Sequence, residues 1–104
     1  MALTRDFKET IKARAMRDPK FRKALLTEAM EAYFANDIET GKAILRDYIN
    51  ATVGFEEIAS EINKSSKTVH RMLAPNGNPT TENFFGIMSA IQHKTGIHIS
   101  VKAS

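Results

Sequence analysis

Phe55-Glu56-Glu57-Ile58-Ala59-Ser60-Glu61-Ile62-Asn63-Lys64-Ser65-Ser66-Lys67-Thr68-Val69-His70-Arg71-Met72-Leu73 carries two short apolar stripes with a polar interruption between them. In the first half Phe55, Ile58, Ala59 and Ile62 recur at spacings of three and four, the repeat that lines one face of a helix. Glu56 and Glu57 stand in its first turn, where the helix dipole favours anions. Asn63 follows, and asparagine tolerates the left-handed backbone that ends a helix better than most residues do. Ser65 or Ser66 can cap a second helix, in which Val69 with Met72 or Leu73 returns the apolar face. That helix must stop near Ala74, because Pro75 disfavours helical geometry in the residue before it. Ala59 is small where the two helices meet.

Two short helices joined by a turn of three to four residues form a helix-turn-helix arrangement. The outward positions of the second helix are Ser66, Lys67, His70 and Arg71, all able to donate hydrogen bonds. No carboxylate occurs in residues 64–72. Such a face suits a groove lined by phosphates and by the N7 and O6 acceptors of guanine. The competing reading is a helical pair that serves only as scaffold.

Outward from this centre the chain reads as further helices. Leu3, Phe7, Ile11 and Ala15 recur every four residues, one stripe of a short helix. Asp18-Pro19 predicts an N-cap followed by proline at the first helical position. Phe21, Leu25, Ala29, Ala32 and Tyr33, joined by Leu26 and Phe34, give the next helix a broad inner face. Asn36-Asp37 interrupts it and can cap a third, with Ile38, Leu45, Tyr48, Ile49 and Thr52 inward. Gly41 is expected where a neighbouring backbone comes close, and Gly54 is expected as a left-handed terminal glycine. Pro75-Asn76-Gly77-Asn78-Pro79 is the strongest turn signal. Thr80 then caps a helix with Phe84, Ile87, Met88 and Ile91 inward, ending at Lys94-Thr95 before Gly96. Residues 97–101 alternate apolar and polar and predict a short strand.

The pattern Phe55-x-x-Ile58-Ala59-x-x-Ile62-Asn63, then Val69-x-x-Met72, resembles the helix-turn-helix of the lambda-repressor/Cro-like (XRE-type) regulators. The run Leu73-x-Pro75-Asn76-Gly77-Asn78-Pro79-Thr80, with a following helix and an Ile-x-Ile-x-Val tail, is similar to HigA-type addiction-module antidote proteins. The resemblance implies an all-α, five-helix, lambda-repressor-like domain, with residues 37–104 as the DNA-binding part and a short C-terminal strand. Residues 1–36 would be a helical extension packed on that domain, as a lid or as a surface for a toxin. It further implies a homodimer that places a recognition helix at about 65–74 in the major groove of a near-palindromic operator, and an RNase-type toxin as a partner. Carried over residue by residue, Ser66, Lys67, His70 and Arg71 would meet base edges, and Ser65 and Thr80 would meet phosphates. The family usually has glycine where this chain has Asn63 and an apolar residue where it has Lys64. Lys64 must therefore snorkel or face the DNA. The tail strand could pair with its copy across a dimer axis or pack on its own domain.

Composition sets the outer limits. The chain has 104 residues, 42% of them hydrophobic and 26% charged, with no cysteine, which fits one globular domain in a reducing cytoplasm without disulfides or thiolate sites. An N-terminus that turns charged at once argues against a signal peptide, and no apolar run approaches a membrane span. The net charge of +3 is unevenly placed. Residues 1–23 hold eight basic and three acidic side chains, net +5, so the remainder carries −2. His70, His93 and His98 are not spaced as zinc ligands, and Glu56, Glu57 and Glu61 read as dipole partners. No glycine-rich phosphate loop or nucleophile–base set stands out, so neither an enzyme nor a cofactor or metal is expected. The alternative to a DNA-binding regulator is a protein-interaction module.

Overall fold

A computed structural model describes residues 13, 14 and 17–104. It is all-helical, with five helices and no strand among the described residues: α1 (Pro19–Phe34), α2 (Ile38–Ala51), α3 (Phe55–Glu61), α4 (Ser66–Met72) and α5 (Thr81–Thr95). The stripe Leu3, Phe7, Ile11 and Ala15 lies outside the described residues. Among the described residues no helix is long and apolar enough to cross a membrane.

Local chemistry sets most helix ends. Asp18 accepts from the N–H groups of Lys20 and Phe21 at 3.0 and 3.2 Å, with Pro19 at the first helical position. Asp37, Ser65 and Thr80 cap α2, α4 and α5 in the same way through Thr40, Thr68 and Asn83. Asn36 and Asn63 hold positive φ angles of 63° and 57°, and each ends a helix in a Schellman motif. At α1 the N–H of Asn36 bonds Tyr33 O and that of Asp37 bonds Ala32 O. At α3 the N–H of Asn63 bonds Ser60 O and that of Lys64 bonds Ala59 O. The Lys64 side chain is exposed in the α3–α4 turn, so this departure from an apolar residue disturbs no core contact.

A single core joins all five helices: Leu26 of α1, Leu45, Tyr48 and Ile49 of α2, Phe55 and Ile58 of α3, Val69 and the adjoining Leu73 at α4, and Ile87, Met88 and Ile91 of α5. Two glycines are required by what touches them. A Cβ on Gly41 would lie 2.8 Å from the Tyr33 ring, so the close neighbour is an aromatic side chain and not a backbone. A Cβ on Gly77 would lie 1.8 Å from Arg71 O, because the loop after α4 folds directly back on that helix.

Three expectations are corrected. Phe34 is 70% exposed; Tyr33, which lies over Gly41, takes the inward place at this end of α1. Gly54 has φ 84° and ψ 159°, which is not left-handed helical geometry but a region open essentially to glycine alone, and it serves as the N-cap of α3. Gly96, with φ 74° and ψ 5°, is the left-handed terminal glycine. Residues 97–101 form no strand, since no neighbouring strand among the described residues supplies ladder hydrogen bonds. The alternation persists in part: Ile97 and Ile99 pack on the core while Val101 is exposed, and the Ile99 N–H donates to Gln92 Oε1 at 2.7 Å.

Gly77→Ala should lower stability by about 3 kcal/mol, the upper range for forcing an added methyl into a packed site, whereas Asn63→Gly should change it by no more than about 0.5 kcal/mol because glycine accepts the same φ. Thermal denaturation of both variants checks the contrast.

Candidate nucleic-acid interface

The α3–turn–α4 unit is built from its two buried edges. Phe55, Ile58 and Ala59 hold α3 to the core, and Val69 and Leu73 hold α4. The helical repeat then sends Lys67, His70 and Arg71 outward, with Ser66 half-buried. These four side chains line one open concavity of about 590 Å³. The structure thus brings together four of the seven residues expected from sequence. Lys64 stands in the turn, Ser65 is occupied as the α4 cap and bonds Thr68 Oγ1 at 2.8 Å, and Thr80 caps α5; none of the three lines the concavity.

Three residues complete the site that sequence reasoning did not assign to it: Asn50 at the end of α2, and Phe55 and Glu56 at the start of α3. The Phe55 and His70 rings lie 4.4 Å apart between centroids, tilted by 36°. His70 therefore has a fixed backing, presenting an edge instead of swinging free. Phe55 carried a core signal, which it satisfies, and nothing in its spacing marked the exposed ring fifteen positions later. Glu56 changes the electrostatics more. Residues 64–72 are free of acid, but the fold brings a carboxylate from the preceding helix to the same concavity. The face is a cationic helix with one carboxylate at its border, not a uniform field of donors.

The other carboxylates of α3 look away from this face. Glu57 pairs with Lys94 at 3.1 Å and Glu61 with His93 Nδ1 at 2.8 Å, two exposed links from α3 to α5 worth little individually. His93 thus has a structural role, and among the described residues no group of three His, Asp or Glu is placed to hold a metal ion.

The back of α4 is fixed by α2. The Lys42 side chain is completely buried. Its Nζ donates to the carbonyls of Ala74, Pro75 and Gly77 at 3.2, 3.3 and 2.7 Å and lies 2.9 Å from Glu39 Oε2. An ammonium has three N–H donors, so four acceptors require one to be shared. One turn further along α2, Arg46 Nη1 donates to Leu73 O. Neither cation was singled out by its sequence context.

Chemically the concavity can offer Lys67 and Arg71 as donors and Glu56 as an acceptor, with Asn50 able to do both. Comparison with protein-family models, with curated proteins and with solved structures finds no match. The reading of the site rests on its own residues.

Behind Gly41, burial pushes the Tyr33 phenol up to about 12, with Arg46 opposing and Glu39 adding to the shift; burial also raises Tyr48. A raised folded-state pKa means that the unfolded chain loses these protons first, so stability is unaffected by them below pH 10 and falls as pH rises from 10 to 12. These are the only two tyrosines in the sequence. Phenolate absorbance should therefore rise late, together with loss of helical circular dichroism. Ionisation of both near pH 10 with the helices intact would contradict the buried placement.

Proposed function

We propose that the chain is a sequence-specific DNA-binding transcriptional regulator, a repressor that acts as a homodimer, with α4 as its recognition helix in the major groove. The observation that carries this is the outward face of α4. Lys67, His70 and Arg71 project together from a two-turn helix with its opposite edge in the core, an arrangement that can enter a groove as a unit. Arg71 and Lys67 are matched to guanine O6 and N7, and the same cations attract phosphates. Glu56 and Asn50 at the border suit a cytosine amino group or an adenine edge. In a twofold dimer two such helices would read half-sites about 34 Å apart, one turn of B-DNA. Ser65, Lys64 and Thr80 lie off the concavity and suit contacts to the DNA backbone.

A second reading is favoured by a different surface. Phe85 is 61% and Phe34 70% exposed. Phe85, with Tyr33, Ile38, Pro79 and Phe84, borders an open apolar concavity of about 280 Å³. Large exposed aromatics are characteristic of protein contacts. This supports a protein partner, the role that the likeness to antidote proteins gives to an RNase-type toxin. The two readings are compatible in one molecule, since the aromatic surface and the α4 concavity share no lining residue.

The test is titration against DNA duplexes selected from a randomised pool. Affinity should fall steeply and log-linearly with salt, and Arg71→Ala should relax preference at one base pair per half-site, at a cost of about 1–3 kcal/mol. Removing the carboxylate with Glu56→Gln should raise affinity and reduce discrimination at the pair it faces. Binding that is insensitive to salt and to all three substitutions in α4, Lys67→Ala, His70→Ala and Arg71→Ala, would leave the protein-interaction reading alone standing.

A further inference from the structure

Helix α4 is too short to hold its own position. Seven residues make two turns, well below the roughly 12–15 residues at which an isolated helix becomes marginally stable, and within its bounds only Val69 is buried. Val69 and Leu73 are buried and Met72 packs against the core, so apolar contact holds α4 along one edge. At its C-terminal end, however, the carbonyls of Leu73, Ala74, Pro75 and Gly77 all receive hydrogen bonds from α2, one from Arg46 and three from Lys42. The two donors are four residues apart and so share one face of α2. A pair of cations placed there also complements the negative end of the α4 dipole.

We infer that Lys42 and Arg46, which line no part of the concavity, are positioning residues for it: they lock the axis and register of α4 to α2 through the carbonyl of its C-cap, Leu73, and those of the loop that follows. The inference rests on the reading of α4 as the DNA-contacting helix, although its physical core can be tested without DNA. Base-edge hydrogen bonds demand placement within about 0.5 Å, whereas attraction to phosphates survives displacement. Loss of the clamp therefore erodes discrimination among sequences before it erodes general affinity. A role confined to folding would instead lower both together.

The experiment uses the full chain with Lys42→Met, which keeps an apolar stem as far as the ε position and removes the ammonium. A 30-base-pair duplex recovered from a randomised pool with the unaltered protein is compared with a scrambled duplex of the same composition. The ratio of the two affinities should fall at least tenfold, while affinity for the scrambled duplex stays within threefold. In the absence of DNA, backbone amides of residues 69–77 should exchange at least tenfold faster, with those of the α5 core unchanged. Equal loss of affinity for both duplexes, or uniformly faster exchange, overturns the inference. If Lys42→Met fails to fold, two other measurements take its place, the second made with the missing group supplied in solution. Arg46→Gln should show the same split, and Lys42→Ala should regain slow exchange in 69–77 on adding n-propylammonium, which replaces the missing atoms and charge, but not on adding 1-propanol. Failure of both overturns the proposal. If the unaltered protein discriminates between no duplexes, the DNA reading fails, and amide exchange alone decides whether the clamp exists.

Discussion

A lysine ammonium with no solvent contact is among the most expensive groups a small domain can bury, because desolvating a charge costs several kcal/mol unless strong partners replace the water. Lys42 meets that demand with three backbone carbonyls and a carboxylate. The constraint works in both directions. The carbonyls of Ala74, Pro75 and Gly77 follow the end of a helix and lack helical partners of their own, so the cation and the loop each supply what the other lacks. For this to happen the loop must fold back onto α4, which brings Gly77 against Arg71 O at a distance that admits no side chain. Removing the ammonium alone would take the side-chain donor from all three carbonyls, of which Ala74 O would keep the N–H of Gly77. Adding one methyl at Gly77 would push the loop away from the ammonium.

The remaining architecture fits around this junction. Asn36 lets the chain leave α1 and begin α2 at once, with Asp37 closing one helix and capping the next. This tight connection lays the Tyr33 ring on Gly41, immediately before Lys42. Asn63 does the same between α3 and α4. Both turns use an asparagine at positive φ, so the two short connections are fixed by backbone geometry instead of by loop length. The result is a domain in which the side of α4 facing inward is tied by apolar contact at one edge and by hydrogen bonds at its end. Its outward side is left to carry charge.

Much of this was legible in order along the chain. The caps at Asp18, Asp37, Ser65 and Thr80, the stop before Pro75 and the terminal Gly96 all depend on neighbours within a few residues, and each forms as its sequence predicts. The outward grouping of Lys67, His70 and Arg71 follows from the helical repeat and from burial of Val69. Where reading failed, spacing alone did not carry the deciding contact. Gly54 looked like an ordinary terminal glycine, but the entry into α3 sets its ψ. The alternation in residues 97–101 is a pattern of burial only at Ile97 and Ile99, Val101 being exposed; a strand also needs a neighbour to bond with, and Gln92 supplies a side chain in its place.

The sequence by itself determined the helices, their caps, the two asparagine turns and a second short helix with a cationic, acid-free outer face. These follow from interactions spanning a few residues, where spacing is a faithful guide to geometry. Tertiary structure alone decided that Glu56 and Asn50 border that face, that Phe55 backs His70, and that Lys42 and Arg46 end in the carbonyls beyond α4. These pairings join residues 10 (Glu56 and Ser66) to 35 (Lys42 and Gly77) positions apart. A lysine in an amphipathic helix has the same sequence signature whether it points to water or to a ring of carbonyls, and only the packing of helices around it distinguishes the two.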